Sequence, residues 1–238
     1  MSKRAEKRHL FSDWRDFARE YAIIVLGVLT ALFAQQAVQS VDWRHKVDAA
    51  LADMDNELGS GDGPQAYARL AMHDCVSERL TAIRSAAERG DRPRSVALID
   101  TIWFPERTYD SLAREAATAS DVASHMPHQR MLQYRIIYEV IPDMDRLSGR
   151  ELVDLSRLRA LPRTGGPLET SEKLGVLDAV EALRVDNDVI SREARFVLQH
   201  MRLYKLKLDT AFVIQNVKKA RPHYPACLSH APNVGDLS

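Results

Sequence analysis

The chain has few cysteines, few aromatic residues and no net charge. Its 238 residues include two Cys and 7% aromatic residues, and 33 Lys and Arg balance 33 Asp and Glu. Two cysteines cannot supply a disulfide-dense scaffold or a four-thiolate zinc site. Because a neutral chain lacks a generally basic surface, we expect no nucleic-acid partner. Ten Gly and ten Pro are too few for a fibrous or low-complexity protein.

One long stretch, Tyr21–Val41, lacks charged residues altogether. As a helix it would span about 31 Å, close to the thickness of the hydrocarbon core of a bilayer. Residues 1–20 carry six Lys and Arg, whereas the 20 residues after the stretch carry two, which favours an N-terminus in the cytoplasm. Tyr21 and Trp43 provide aromatic side chains at its two ends, as in interfacial belts. We therefore predict a single-pass transmembrane helix over 21–41, preceded by a basic cytoplasmic segment over 1–20.

Two other interpretations of this stretch remain open. A cleaved signal peptide would use the apolar residues 21–34 and a cleavage site at Val38-Gln39-Ser40, but the basic segment before it is long for that role. The second interpretation is a buried core helix of a soluble protein. The unequal number of Lys and Arg residues on the two sides of the stretch argues against it. Within the stretch, Gly27 and Ala31 form a small-xxx-small pair, which would let two such helices pack closely.

The anchor residues also carry a resemblance. The run 24–38, IVLGVLTALFAQQAV, is followed by the pair Trp43-Arg44. This pattern, GVLxALxAQQxV with WR just beyond it, resembles bacterial single-pass membrane proteins of unknown function that have a helical C-terminal domain. The resemblance is specific over about residues 20–50. It implies a location in the bacterial cytoplasmic (inner) membrane with the C-terminal domain in the periplasm, and it transfers no catalytic residue.

Beyond the anchor, apolar residues recur at helical spacing and no window predicts a convincing strand. We therefore predict an all-α fold, in which the transmembrane helix continues into a helical bundle over 42–220 with one long C-terminal helix, followed by an irregular tail over 221–238. The run Gly59–Pro64 contains three glycines and predicts the end of the first helix and a flexible hinge. The acids before it lack the turn glycine of a calcium loop and predict a solvated helix face: Asp53, Asp55 and Glu57.

The clearest helical pattern is an apolar seam with 4-3-4-3 spacing on a helix predicted from Thr170 to Leu208. Such a seam needs a partner helix, either in the same chain or on another subunit. Asn187 is the polar exception, and it would either fix the register of the packing or face a wet edge of the bundle. The seam residues are Val176, Val180, Leu183, Asn187, Ile190, Ala194, Val197, Met201, Tyr204 and Leu208.

The two cysteines, Cys75 and Cys227, are candidates for a disulfide if the domain lies outside the cytoplasm. Closing so long a loop would stabilise the fold by about 5 kcal/mol on a loop-entropy estimate and would fasten the tail to the bundle. Otherwise both are unpaired thiols. No histidine lies in a set with metal-ligand spacing, so we predict no metal and no cofactor; the histidines considered are His73, His125, His128, His223 and His230.

Sequence motifs of catalysis are also lacking, because the chain has no HExxH, CxxCH or GxSxG. We predict that it is not an enzyme. The leading hypothesis is a membrane-tethered interaction or assembly module of the bacterial cell envelope, with membrane lipid and a protein partner, or a second copy of the chain, as its contacts. The alternative is an extracytoplasmic ligand-binding or sensory module that works with a separate signalling partner, since a bundle can bind a ligand between its helices.

Overall fold

The computed structural model describes residues 6–105 and 109–228, and these residues form helices and no strand. The prediction of an all-α fold is confirmed. The helices are α1, Glu6–Asn56; a π-helical segment, Glu57–Asp62; α2, Gly63–Glu88; α3, Arg92–Ile99; α4, Leu112–Ala119; α5, Val122–His125; α6, His128–Tyr138; α7, Ile141–Arg159; α8, Thr170–Leu203; and α9, Thr210–Ala220.

The chain divides into two compact units, Met1–Ala49 and Ala50–Ser238. In the first unit every side chain from position 17 to position 42 is exposed. Among the described residues, one helical stretch, Phe17–Glu88, is long and apolar enough to cross a membrane. Its most apolar 18-residue window has a mean hydropathy of 1.9, and none of that window is buried. An N-terminal helix with the length and composition of a membrane span is therefore confirmed.

Two hydroxyl groups of the apolar stretch are satisfied within their own helix. Thr30 Oγ1 donates to the carbonyl oxygen of Leu26 at 2.7 Å, and Ser40 Oγ donates to that of Ala37 at 2.8 Å. Backbone groups of an α-helix are bonded in the same internal way. The hydrogen bonds of these two hydroxyl groups and of the helical backbone are therefore made within the helix, as is required of polar groups inside a lipid bilayer.

The second unit is built around α2 and α8, which pack against each other. Helix α7 lies against α8, and α3 and α9 lie against α2. Helix α2 carries an apolar stripe whose members recur every three or four residues on one face, and this stripe is buried. Each buried Leu or Ile of this kind stabilises the fold by about 1.5–3 kcal/mol. The stripe consists of Met72, Val76, Leu80, Ile83 and Ala87.

The glycine run does not interrupt the helical backbone, so the prediction of a break and a hinge is wrong. Residues Glu57–Asp62 form a π-helical segment, and α2 follows directly from Gly63. A Cβ atom at Gly59 would lie 2.6 Å from the carbonyl oxygen of Lys207. The N–H of Asp209 donates to the Gly59 carbonyl oxygen at 2.9 Å. Glycine at position 59 therefore permits a close approach of a second backbone.

Helix α8 ends at Leu203, before the predicted end at Leu208. Tyr204 is its C-cap, and Lys205 adopts the left-handed conformation with φ 59°, which turns the chain away from the helix axis. Leu208 lies on the following connection and packs against Gly63, where a Cβ atom would come within 2.7 Å of the Leu208 side chain. Its apolar character extended the sequence pattern past the true end of the helix.

Candidate functional site

The predicted anchor residues all lie on α1 in the first unit. Tyr21 is 62% exposed, and Gly27 and Ala31 are exposed as well. A Cβ atom at Gly27 would meet nothing within 4 Å. Trp43 is half-buried, and the Lys46 ammonium lies 4.9 Å from the centroid of its ring. Among the described residues, no side chain therefore packs against α1 at Gly27.

The predicted seam of α8 is covered by helices of the same chain. Its members from Val176 to Met201 are all buried in the second unit, where α2 and α7 pack against α8. Asn187 is only 1% exposed, so the interpretation that it faces a wet edge is wrong. Tyr204 and Leu208 are half-buried and follow the last residue of the helix. The structure therefore does not leave this seam for another subunit.

The two cysteines form a disulfide in the second unit, with their Cα atoms 5.6 Å apart. The prediction that Cys75 and Cys227 lie close enough to bond is confirmed. Cys227 belongs to a series of turns over 221–228, and this series is the described part of the predicted irregular tail. Tyr224 fixes the same segment a second time, because its hydroxyl accepts from the Trp103 N–H at 3.1 Å and donates to the Trp103 carbonyl oxygen at 2.8 Å.

A groove of about 700 Å³ lies beside this disulfide. One wall is a single face of α2, the opposite wall is a single face of α3, and the third is the segment Tyr224–Cys227. Arg79 of α2 and Arg94 of α3 line the groove from opposite sides. The volume falls within the range of about 300–1,000 Å³ that is typical of small-molecule sites. We call this feature the disulfide groove.

A second feature of the unit is a buried polar layer formed by Arg69 of α2, Glu151 of α7 and Asn187 of α8. Arg69 Nη2 donates to Glu151 Oε1 at 2.6 Å and to Asn187 Oδ1 at 3.4 Å. The amide of Asn187 donates to the carbonyl oxygen of His73 and to the hydroxyl of Ser77, each at 3.1 Å. All three members of the polar layer are at most 4% exposed. The layer therefore ties three helices together through charge-assisted hydrogen bonds.

The polar layer continues toward the π-helical segment through groups that are not fully bonded. Among the described residues, Arg69 Nε and Nη1, Tyr109 Oη and Asp62 Oδ2 are buried without a hydrogen-bond partner. The charges of Arg69, Asp62 and Glu151 all act on the phenol of Tyr109. Buried polar atoms are normally bonded, so this region is the most polar and least satisfied part of the described interior.

Burial raises the pKa of both carboxyl groups in this region to about 7. For Asp62, the N–H of Asp110 bonds to the carboxylate and opposes the rise, whereas the charge of Glu57 adds to it. For Glu151, the guanidinium of Arg69 opposes the rise but does not cancel it. Burial also raises the pKa of the Tyr109 phenol. Chemically, the two carboxyl groups are able to take up or release a proton near neutral pH.

Two of the acids at the end of α1 and in the π-helical segment are bonded to other helices. The prediction of a solvated face is therefore wrong for Glu57 and holds only in part for Asp55, whose side chain is 46% exposed. Tyr134 of α6 donates its hydroxyl proton to Asp55, and Tyr138 donates to Glu57 Oε1 at 2.6 Å. Glu57 Oε2 also accepts from the N–H of Ala113 at 2.9 Å. These bonds hold α4 and α6 against the π-helical segment. Asp53, the third acid of the pattern, is exposed.

The polar layer is not among the features predicted from the sequence, although the sequence contains a signal for it. On α7 the buried residues recur at helical spacing, and Glu151 occupies a place in that series between Leu147 and Leu155. On α2, Arg69 stands three residues before Met72 on the buried stripe. A charged residue in a buried stripe has to be paired. The coincidence of two such residues with Asn187 on the seam of α8 predicts that the three meet.

The histidines considered as ligands do not assemble in the described residues. His73 bonds to Asp74 at 2.8 Å and to Asp188 at 3.0 Å, on the surface. Within residues 6–105 and 109–228, no group of three or more His, Cys, Asp or Glu side chains is arranged to hold a metal ion. His223 stacks on the ring of Trp103, with the ring centroids 5.0 Å apart. His230 lies outside the described residues.

No protein-family model, curated protein or solved structure matches this chain. The resemblance carried by the anchor residues therefore stays a prediction from the sequence.

Proposed function

We propose that the chain is a single-pass protein of the bacterial cytoplasmic membrane, with its N-terminus in the cytoplasm and its helical unit in the periplasm. The observation that carries this proposal is the charge-free stretch Tyr21–Val41, which is exposed along its whole length. Apolar surface of this extent is unfavourable in water and favourable in lipid. The excess of Lys and Arg in 1–20 supports the orientation. The Cys75–Cys227 disulfide supports the same orientation, because disulfides persist outside the reducing cytosol.

The orientation is tested by fusing a reporter after Ser238. We expect alkaline phosphatase, which needs periplasmic disulfides, to be active in this fusion, and we expect a cytoplasm-dependent fluorescent protein to be dark. The opposite pair of results contradicts the orientation. Recovery of the intact chain in the aqueous fraction without detergent contradicts the membrane anchor itself.

We propose further that the helical unit is an interaction or assembly module of the cell envelope rather than an enzyme. Because the seam of α8 is covered within the chain, a partner would bind another surface. Large apolar side chains are exposed around the connection between α8 and α9: Leu203 is 66% exposed, Phe212 is 37% exposed and Ile214 is 56% exposed. The core of a protein interface is usually apolar, so we propose that these side chains contribute to it. Lys205 and Lys207 are also exposed there and favour an acidic rim on the partner.

This interaction surface is tested by placing a photo-crosslinking amino acid at Phe212 or Ile214 in the full chain and illuminating intact membranes. The matched control is the same amino acid at Leu174, which is 61% exposed at the start of α8. We expect a discrete adduct from positions 212 and 214 and none from position 174. Equal labelling at all three positions, or no adduct from any, contradicts an interaction surface at this connection.

A second candidate function is the binding of a small ligand by the periplasmic unit, which would report to a separate signalling partner. The observation that favours it is the disulfide groove, since its volume and its mixed polar and apolar walls are those of a ligand site.

A further inference from the structure

We propose that the disulfide groove binds a small organic anion, namely a carboxylate or phosphate group carried on a short apolar or aromatic body. The proposal develops the second candidate function. It does not depend on which side of a membrane the unit lies, because it rests on the walls of the groove alone.

The two long walls of the groove are regular helical faces. Helix α2 contributes positions 75, 78, 79 and 82, and the opposite wall contributes positions 94, 97, 98 and 101 from α3 and the turn after it. Both sets follow the i, i+3, i+4, i+7 spacing of one side of a helix. Two of the three walls of the groove are therefore helices that pack side by side, and such walls are more rigid than loops.

Positive charge is placed on both of these walls. Among the described residues, no ion pair joins the guanidinium group of Arg79 or Arg94 to a carboxylate. By contrast, Arg92 is paired with Glu172 and Arg163 is paired with Asp100. Two guanidinium groups that have no carboxylate partner in the described part of the chain and line one groove from opposite sides would serve as a clamp for an oxyanion, since each presents a planar set of N–H donors.

Arg79 is already oriented across the groove. Its Nη1 donates to Thr101 Oγ1 on the opposite wall, and Thr101 Oγ1 in turn donates to the carbonyl oxygen of Leu98 at 2.6 Å. This chain of bonds holds the guanidinium group of Arg79 between the two walls, and its other N–H groups make no hydrogen bond to the residues that the structure describes. Fixing a donor before the ligand arrives lowers the entropy that binding must overcome.

The remaining lining explains why the ligand should have an apolar body. Ala82, Ala97, Leu98 and the ring of Tyr224 supply carbon surface beside the two arginines. Glu78 also lines the groove and leaves its walls with one excess positive charge. Its carboxylate would repel a second negative charge near the mouth and would accept a hydrogen bond from a hydroxyl or amino group. The ligand class that fits is a compact anion with one charged end.

The third wall is held in place independently of any ligand. The Cys75–Cys227 disulfide joins it to α2, and the hydroxyl of Tyr224 joins it to the backbone of Trp103. Leu228, at the end of the same segment, is fully buried. The groove is therefore preformed, as small-molecule sites usually are.

The test uses the full chain in a non-ionic detergent and fluorine NMR of three probes of similar shape. The probes are para-fluorobenzoate, para-fluorophenyl phosphate and the neutral para-fluorobenzamide. We expect the resonances of one or both anions to broaden in the presence of the protein, and we expect that of the amide to remain as sharp as in detergent alone. The anion with the stronger effect identifies the headgroup chemistry.

Two variants and a control locate the binding. Arg79→Gln and Arg94→Gln are each expected to weaken anion binding about tenfold or more, because each removes a charge-assisted hydrogen bond. Arg135→Gln changes the charge equally at an exposed position of α6 outside the groove and is expected to leave the affinity unchanged. Circular dichroism confirms that each variant is folded.

The proposal is overturned if neither anion broadens, if the amide broadens as much as benzoate, or if all three variants lose affinity equally. None of these results would bear on the crosslinks from positions 212 and 214, which lie outside the groove. Failure of the anion site is therefore distinguishable from failure of the interaction module.

Discussion

Two glycines of the π-helical segment, Gly59 and Gly61, differ in what surrounds them, and this difference makes a sharp prediction. A Cβ atom at Gly59 would lie 2.6 Å from the backbone carbonyl oxygen of Lys207, whereas one at Gly61 would meet nothing within 4 Å. If glycine is present for close approach, alanine is harmful at the first position and favourable at the second. If the run is a flexible hinge, both substitutions act in the same direction.

The magnitudes follow from the contacts. Replacing Gly by Ala in a helical backbone stabilises by up to about 1 kcal/mol, through the entropy of the unfolded chain and helix propensity. At Gly59 the new methyl group must displace a backbone carbonyl, and such overpacking costs about 1–3 kcal/mol. The same displacement weakens the bond from the Asp209 N–H, which contributes about 1 kcal/mol. We expect Gly59→Ala to destabilise the unit by about 1–3 kcal/mol and Gly61→Ala to stabilise it slightly.

The measurement is urea unfolding of the full chain in detergent, followed by near-ultraviolet circular dichroism to report on the tertiary packing of the second unit. Gly61→Ala is the matched control, since the chemical change and the local backbone are the same. A free energy of unfolding that changes by the same sign and size in both variants would refute the close-approach argument. A difference of about 1–4 kcal/mol between them, with Gly59→Ala the less stable variant, supports it.

Three further predictions concern the buried charges and the disulfide. The folded carboxyl group of Asp62 has a pKa of about 7 against an ordinary value of 3.8; the native state therefore holds its proton more tightly, and stability falls as pH rises from about 4 through about 7. Asp62→Asn should reduce the change in the free energy of unfolding across this pH range by a few kcal/mol, at about 1.4 kcal/mol per pKa unit, as measured by urea unfolding at a series of pH values. The control variant Asp53→Asn, at an exposed position, should leave that pH dependence unchanged. Arg69→Leu should destabilise by about 3–5 kcal/mol, because it leaves the buried Glu151 unpaired, and adding Glu151→Leu should restore much of the loss; a double-mutant cycle without coupling contradicts this. Cys227→Ser removes the disulfide, which joins residues 152 positions apart. It should lower the free energy of unfolding by about 2–5 kcal/mol, and an unchanged urea midpoint would contradict this prediction.

The structure was predictable from the sequence where apolar residues repeat with one helical period over many residues. The seam of α8 repeats over several turns, so its buried face follows from the spacing, whereas the spacing left open whether its partner helix belongs to the same chain or to another subunit. The pairing of Cys75 with Cys227 was predictable because the chain contains no other cysteine. These predictions require only the pattern within one helix or the number of cysteines in the chain.

Prediction failed where the meaning of a residue depends on a distant segment. The glycine at position 59 looks like a helix breaker until the backbone of Lys207 is placed against it. Leu208 fits a heptad but is apolar because it packs on Gly63 from a connection. Glu57 has a charged side chain typical of a solvated face, yet Tyr138 bonds to it across a separation of 81 residues. Local patterns do not encode such contacts.

The polar layer distinguishes the observed alignment of α8 on α2 from alignments in which one helix is shifted along the other. If α8 shifted along α2 by two helical turns, its heptad pattern would still place aliphatic side chains against aliphatic side chains. Asn187 would then no longer meet Arg69, and the ion pair with Glu151 would lose one of its buried neighbours. Polar groups within an apolar seam are known to select one alignment in this way. We therefore expect misaligned compact forms of the chain to be rare during folding, although the aliphatic residues alone would not distinguish them.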